Sequence, residues 1–144
     1  MKKRVKIAVV GVGLMGSQHL KAIKISKKAT LHSIVDINKN SKLLAEKFKV
    51  PFFKNSLELL KKNKPDAVIV ATPNQFHEKH SINFLNSKIP LLLEKPISDR
   101  IEKAKKIIKS SKKNKTPLLI GYHRRHNHMA TIVKKKIDAG HLGK

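Results

Sequence analysis

Cysteine and tryptophan are missing from this 144-residue chain, tyrosine occurs once, and nine acidic residues face 33 lysines and arginines. Without cysteine there can be no disulfide, no thiolate metal site and no cysteine nucleophile, and the chain suits a reducing cytoplasm. The shortage of large aromatics removes the stacking platforms that single-stranded nucleic-acid binders use. No stretch approaches the roughly 18 apolar residues of a membrane span. Met1-Lys2-Lys3-Arg4 ahead of an apolar run resembles a short signal peptide, but three glycines interrupt that run and no small-residue cleavage site follows. The expectation is a soluble, cytoplasmic protein of about one domain, since domains cluster near 100–150 residues.

A formal charge of +24 invites a polyanionic partner. Its distribution argues otherwise. Residues 1–72 hold 16 basic and 4 acidic side chains and residues 73–144 hold 17 and 5, a net +12 in each half. Of the 33 cations, 29 are Lys and 4 are Arg, whereas bidentate recognition of phosphate and guanine favours Arg. The charge reads as a lysine bias spread over solvated faces, and no specific nucleic-acid partner is expected.

Hydropathy patterning alternates between strand and helix. Val5, Ile7, Ala8, Val9 and Val10 form a β-branched run ending at Gly11, and a helix is expected from near Gly13 through Leu20 and Ile23. Further strands are expected over 31–35, 67–71, 91–93 and 117–121, with a brief extended piece at Pro51-Phe52-Phe53. Helices are expected over 41–49 with Leu43, Leu44 and Phe48 inward, from a Ser56 cap to Asn63, and through His80, Ile82 and Leu85. Another opens at Asp99, with Ile101, Ala104, Ile107 and Ile108 in one apolar stripe and six lysines elsewhere. A last one carries Met129, Ile132, Val133 and Ile137 and stops at Gly140. Six strands separated by helices imply an α/β fold with a doubly wound parallel sheet.

Gly11-Val12-Gly13-Leu14-Met15-Gly16 matches the GxGxxG fingerprint of the Rossmann dinucleotide-binding fold. The context strengthens the match: it follows the first strand, opens a helix, and has Asp36 twenty positions beyond Gly16 at the end of the second strand. In this reading Gly11 permits the tight turn, Gly13 admits a pyrophosphate to the backbone, and Gly16 lets helix and strand pack closely. A P-loop is excluded, because Ser17-Gln18 follow Gly16 and the phosphate-reaching Lys is missing. The Asp36 carboxylate can accept ribose hydroxyls and would repel a 2′-phosphate, so NAD is expected in preference to NADP, with Lys39 nearby to soften the preference. His77, His80, His123, His126 and His128 have no supporting Cys or acidic group nearby, so no metal site is expected.

Four segments together resemble the glucose–fructose oxidoreductase / inositol dehydrogenase / MocA family: Gly11 to Gly16, Ala71-Thr72-Pro73-Asn74 with His77, Glu94-Lys95-Pro96, and GYHRRHN from Gly121 to Asn127. The resemblance implies a pyridine-nucleotide oxidoreductase of sugars, polyols or related cyclic compounds. It implies that Thr72, Pro73, Asn74 and His77 line the nicotinamide side of the cofactor. It also implies that Glu94 and Lys95 lie beside the reacting carbon, with Pro96 fixing the turn and Arg125 contacting substrate or cofactor. Lys95 is then the catalytic candidate, its ammonium holding the substrate hydroxyl and stabilising the developing alkoxide or relaying its proton.

Residues 1–122 are expected to form the dinucleotide-binding domain, and 123–144 a connecting segment and helix leading toward a second, substrate-binding domain that members of the family carry and this chain lacks. His128 stands where the family often has Pro. In the resemblance the His expected to act with Lys95 belongs to that second domain, so cofactor binding is expected of this chain alone and hydride transfer is expected to depend on the second domain. Three hypotheses follow: the cofactor-binding half of an NAD-dependent dehydrogenase, present as a truncated product or as one piece of a split enzyme, a stand-alone dinucleotide-binding regulatory module, and a basic nucleic-acid-binding protein. A face built to pack on a further domain also leads us to expect self-association or a homo-oligomer.

Overall fold

A computed structural model describes residues 3–141 and 143. Six parallel strands, β1 (Val5–Val10), β2 (Ala29–Val35), β3 (Phe52–Phe53), β4 (Ala67–Val70), β5 (Leu91–Leu93) and β6 (Leu118–Ile120), form one sheet in the order β3-β2-β1-β4-β5-β6. The order reverses between β1 and β4, the switch point at which open α/β sheets leave a crevice beyond their carboxyl ends. Helices α1 (Leu14–Ile25), α2 (Asn40–Phe48), α3 (Ser56–Lys62), α4 (His77–Asn86) and α5 (Ile101–Asn114) fill the connections, and α6 (His128–Asp138) follows β6.

Alternation along β1 divides the core. Ala8 and Val10 face a cluster with Val68, Val70, Leu91 and Leu93, covered by Leu59 of α3, Phe84 and Leu85 of α4 and Ile107 of α5. Val9 faces the other side with Ile34 and Ile69, covered by Leu20 and Ile23 of α1 and Ala45 of α2. A side chain the size of Phe84 or Leu20, taken wholly out of water, contributes about 1.5–3 kcal/mol. Both faces of the central strands are therefore apolar, as a parallel sheet requires.

The expected elements are all present, with local corrections. Leu43 is 67% exposed, and Ala45 is buried in its place; the inward line of α2 runs through Leu44, Ala45 and Phe48, and Leu43 falls about 100° round the helix from Leu44. The cap of α3 is Asn55 rather than Ser56: its side-chain oxygen accepts from Glu58 N at 2.9 Å, while Glu58 Oε2 accepts from Lys54 N at 3.0 Å. That backbone hydrogen bond, with Lys62 close by, holds the Glu58 carboxyl below its ordinary value. Ser56 is buried, and its hydroxyl receives Asn83 Nδ2 of α4 at 2.9 Å.

The apolar stripe of α5 is wider than its contact line. Ile107 is buried, but Ile101 is 70% exposed and Ile108 partly so, because these two lie on a row about 100° or more from Ile107. Past β6 the chain leaves the core. Asn127 caps α6 by accepting from Met129 N at 2.9 Å, and Gly140 ends it in the left-handed region at φ 74°. Met129, Val133 and Ile137 remain exposed. Among the described residues, no helix is long and apolar enough to cross a membrane.

Candidate functional site

The carboxyl ends of β1, β2, β4 and β5 bring the expected residues to one edge of the sheet. The glycine turn leaves β1 through Gly11, whose N–H donates to Val35 O at 2.8 Å and whose φ of 81° suits glycine. A Cβ on Gly11 would lie 2.7 Å from Thr72 N, so the turn after β1 and the turn after β4 touch because there is no side chain between them. A Cβ on Gly16 would overlap the Gly11 carbonyl oxygen. Gly13 differs, since a Cβ there would meet nothing within 4 Å.

That open space lies at the N-terminus of α1. Gly13 occupies the N-cap position, no side chain caps the helix, and no acidic residue lies in its first turn, which comprises Leu14, Met15 and Gly16. The first N–H groups and the positive end of the dipole are left for an anion. Asp36 stands beside the turn: Oδ2 accepts from Val12 N at 2.8 Å and Oδ1 from Asn38 N at 2.8 Å. The carboxylate thus braces the glycine loop, and with about four acceptor positions it keeps capacity for a ribose hydroxyl.

Beyond β4, Thr72 and Pro73 lead into a short 3-10 turn, Asn74–Phe76, and then into α4. Thr72 Oγ1 is buried without a hydrogen-bond partner. A buried hydroxyl left unpaired in a native fold asks for a ligand or water. The open space before Gly13, the uncapped helix and this hydroxyl together fit a dinucleotide with its pyrophosphate at α1.

His77 sits between the turn after β4 and the turn after β5. It is only 1% exposed. Its Nδ1 is 2.9 Å from Pro96 O and 3.3 Å from Ile97 O, and its Nε2 is 2.9 Å from Thr72 O. The ring joins the turn after β4 to the turn after β5 and so braces both. Carbonyls only accept, so a neutral imidazole serves one side of this bridge and a doubly protonated ring serves both.

Beyond β5, Glu94 is buried and Lys95 is exposed, with a cis peptide bond between Lys95 and Pro96. None of the ion pairs among the described residues involves Lys95. Glu94 Oε1 receives His19 Nε2 of α1 at 2.7 Å. Nothing in the motifs of the sequence singles out His19. A usable signal existed, because a carboxylate closing an apolar strand needs a partner and His19 lies three residues from inward-facing Gly16. Arg125 is exposed on a 3-10 turn, His123–His126, and its guanidinium stacks 5.6 Å from the Tyr122 ring centroid. Among the described residues, no hydrogen bond or ion pair ties it to Glu94 or Lys95, and no three His, Asp or Glu converge as metal ligands.

Comparison with known proteins finds a match over residues 5–122 to the model of an oxidoreductase family with an NAD-binding Rossmann fold, the GFO_IDH_MocA group. An inositol 2-dehydrogenase from Rhodococcus erythropolis is 30% identical over 96% of this chain and 41% of its own length. One from Rubrobacter xylanophilus is 26% identical over 98% of this chain and 42% of its own. The crystal structure of the WlbA dehydrogenase from Bordetella pertussis, in complex with NADH and UDP-GlcNAcA, superposes with a TM-score of 0.91 at 25% identity, over 96% of this chain and 43% of that one. The chain therefore spans well under half the length of the relatives it matches.

Proposed function

Since the chain belongs to the oxidoreductase family with an NAD-binding Rossmann fold, we propose that it is the cofactor-binding part of an NAD-dependent dehydrogenase of a polyol, sugar or related cyclic compound. The observation that carries the reading is the meeting at the switch point of an uncapped helix after a glycine turn, the unpaired Thr72 hydroxyl and the Glu94-Lys95 turn. The two inositol 2-dehydrogenases point to a cyclic polyol as substrate, and the sugar nucleotide bound by the WlbA dehydrogenase keeps sugars within the class.

Each residue has a task in this scheme. The N–H groups of Leu14, Met15 and Gly16 hold the pyrophosphate, and Gly13 lets it approach. Asp36 accepts the adenosine ribose hydroxyls and disfavours a 2′-phosphate by like charge, which selects NAD over NADP. Thr72, Pro73 and Asn74 border the nicotinamide half, held in place from behind by His77. Lys95 donates a hydrogen bond to the oxygen of the substrate hydroxyl and stabilises its developing alkoxide charge, the hydroxyl proton passing to water. The nicotinamide, when bound, supplies the hydride acceptor. The remaining substrate contacts fall to the part of such a dehydrogenase that lies beyond the length matched here.

Titration with NADH and with NADPH, followed by nicotinamide fluorescence, tests the reading. Saturable NADH binding at least tenfold tighter than NADPH is expected, the order set by charge at Asp36. Tighter NADPH binding removes the cofactor assignment, and absence of saturation by either removes the function. Turnover of a cyclic polyol once a substrate domain is supplied supports the dehydrogenase, and NADH binding without turnover under the same conditions supports a regulatory module.

A further inference from the structure

Among the described residues, Glu94 is the one buried carboxylate, 5% exposed. Burying a carboxylate is unfavourable unless it is paired and hydrogen-bonded, so its partners show what the fold uses it for. Oε1 receives His19 Nε2 at 2.7 Å from a ring that is itself 20% exposed, and Oε2 receives the backbone N–H of Lys95 at 3.3 Å. On a third side the carboxyl group lies against Gly121 at the end of β6, where a Cβ would stand 3.1 Å from Oε1 and 3.2 Å from Oε2. One carboxylate thus joins the helix whose N-terminus faces the pyrophosphate, the turn that carries Lys95, and the exit from β6. His19 and Glu94 are 75 residues apart in the chain, and neither is needed to close the apolar core.

We propose that His19 and Glu94 are a positioning pair that sets the Lys95 turn in register with the phosphate-facing helix α1, and so fixes where the nicotinamide half of the dinucleotide lies relative to Lys95. The inference rests on the cofactor-binding reading. A helix packed on a sheet moves as a rigid rod, so a hydrogen bond from its second turn to the carboxylate beside Lys95 converts the position of the pyrophosphate into the position of the turn. Glu94 acts through its neighbour, since its two oxygens point at His19 and at the main chain of Lys95. The adenosine half is assigned to Asp36 and the first-turn N–H groups of α1, and His19 lies a turn further along that helix with its ring on Glu94. Loss of the pair should fall on the nicotinamide half alone.

The test compares NADH with ADP-ribose, which shares the adenosine and pyrophosphate but lacks the nicotinamide. Affinities are measured by calorimetry for the wild type, His19→Ala and His19→Gln, with thermal melting to confirm that each is folded. His19→Ala is expected to weaken NADH by about tenfold, the size of a hydrogen bond to a charged group, and to lower the fluorescence enhancement of bound NADH. ADP-ribose should stay within about twofold of the wild type, the affinity of distant contacts being additive. His19→Gln, which keeps a donor for Glu94, should recover most of the NADH affinity. Equal weakening of both ligands, or no change in either, overturns the proposal and leaves the cofactor reading standing. Failure of the wild type to bind either ligand overturns that reading and this proposal with it.

Discussion

The glycine turn after β1 and the Lys95 turn after β5 lie along the same sheet edge and are held by different means. Main chain makes the first: Gly11 N donates to Val35 O, Ser17 N to Gly13 O at 2.9 Å, and the close approaches at Gly11 and Gly16 are backbone against backbone. Two side chains reach in, both at Val12: the Asp36 carboxylate accepts from its N–H and the Ser17 hydroxyl donates to its carbonyl at 3.0 Å. Side chains brace the second: His77 bridges Thr72 to Pro96 and Ile97, and Glu94 takes His19 on one oxygen and Lys95 N on the other. A surface built from backbone is sensitive where a side chain would be added. One braced by imidazoles and a buried carboxylate is sensitive where a side chain is removed.

The sharpest way to break the contrast is Gly16→Ala. Its methyl group has only the Gly11 carbonyl to displace, so the backbone must shift, at a cost of about 3 kcal/mol, the upper range for overpacking. Urea denaturation should show that loss, and an unchanged midpoint would mean that helix and strand can separate freely. On the other turn, His77→Ala removes a buried ring and strands the carbonyls it meets, with an expected loss of about 2 kcal/mol in the same assay. A loss below about 0.5 kcal/mol, the level of an ordinary surface change, would remove His77 as a brace.

Gly13→Ala separates binding from folding. The added methyl meets no protein atom within 4 Å, so stability should hold within about 0.5 kcal/mol. It enters the space before the helix N-terminus, and NADH should bind about tenfold more weakly through lost approach to the N–H groups. Equal affinity for NADH would mean that the pyrophosphate lies elsewhere.

The smallest effect concerns pH. Burial, with Lys79 and His77 adding repulsion, holds the His80 imidazole below its ordinary value of 6.5. As pH falls through that value the unfolded chain takes up a proton before the folded one does, so stability present above it is lost on acidification and levels off below the folded value. His80→Gln should flatten this part of the stability profile between pH 7 and 5. An unchanged slope would assign the acid sensitivity to other groups.

The alternation of strands and helices was legible because it rests on local periodicity, and the exceptions share a cause. Leu43 and Ile101 satisfy an apolar pattern yet remain exposed, since hydrophobicity marks a helical face while the neighbouring element selects which row of it is covered. The assignment of Ser56 as a cap failed because Asn55 and Ser56 are both good caps, and Ser56 was drawn instead into the α3–α4 contact by Asn83. The segment after β6 shows the opposite limit. Met129, Val133 and Ile137 form a clear stripe with nothing packed on it among the described residues, and a helix of that length is marginal in isolation.

By itself, the sequence determined the strand and helix order, the glycine turn and the carboxyl-edge location of Lys95, because each follows from neighbouring residues, from the 2.0 and 3.6 periods and from the φ that glycine alone adopts readily. Tertiary structure alone decided which polar groups meet. His19 reaches Glu94 across 75 residues, Asp36 turns back 24 residues to the Val12 N–H, and His77 faces carbonyls rather than solvent. Such pairings follow from how helices pack on a twisted sheet, and from the requirement that a buried carboxylate or imidazole find a partner wherever the fold places one.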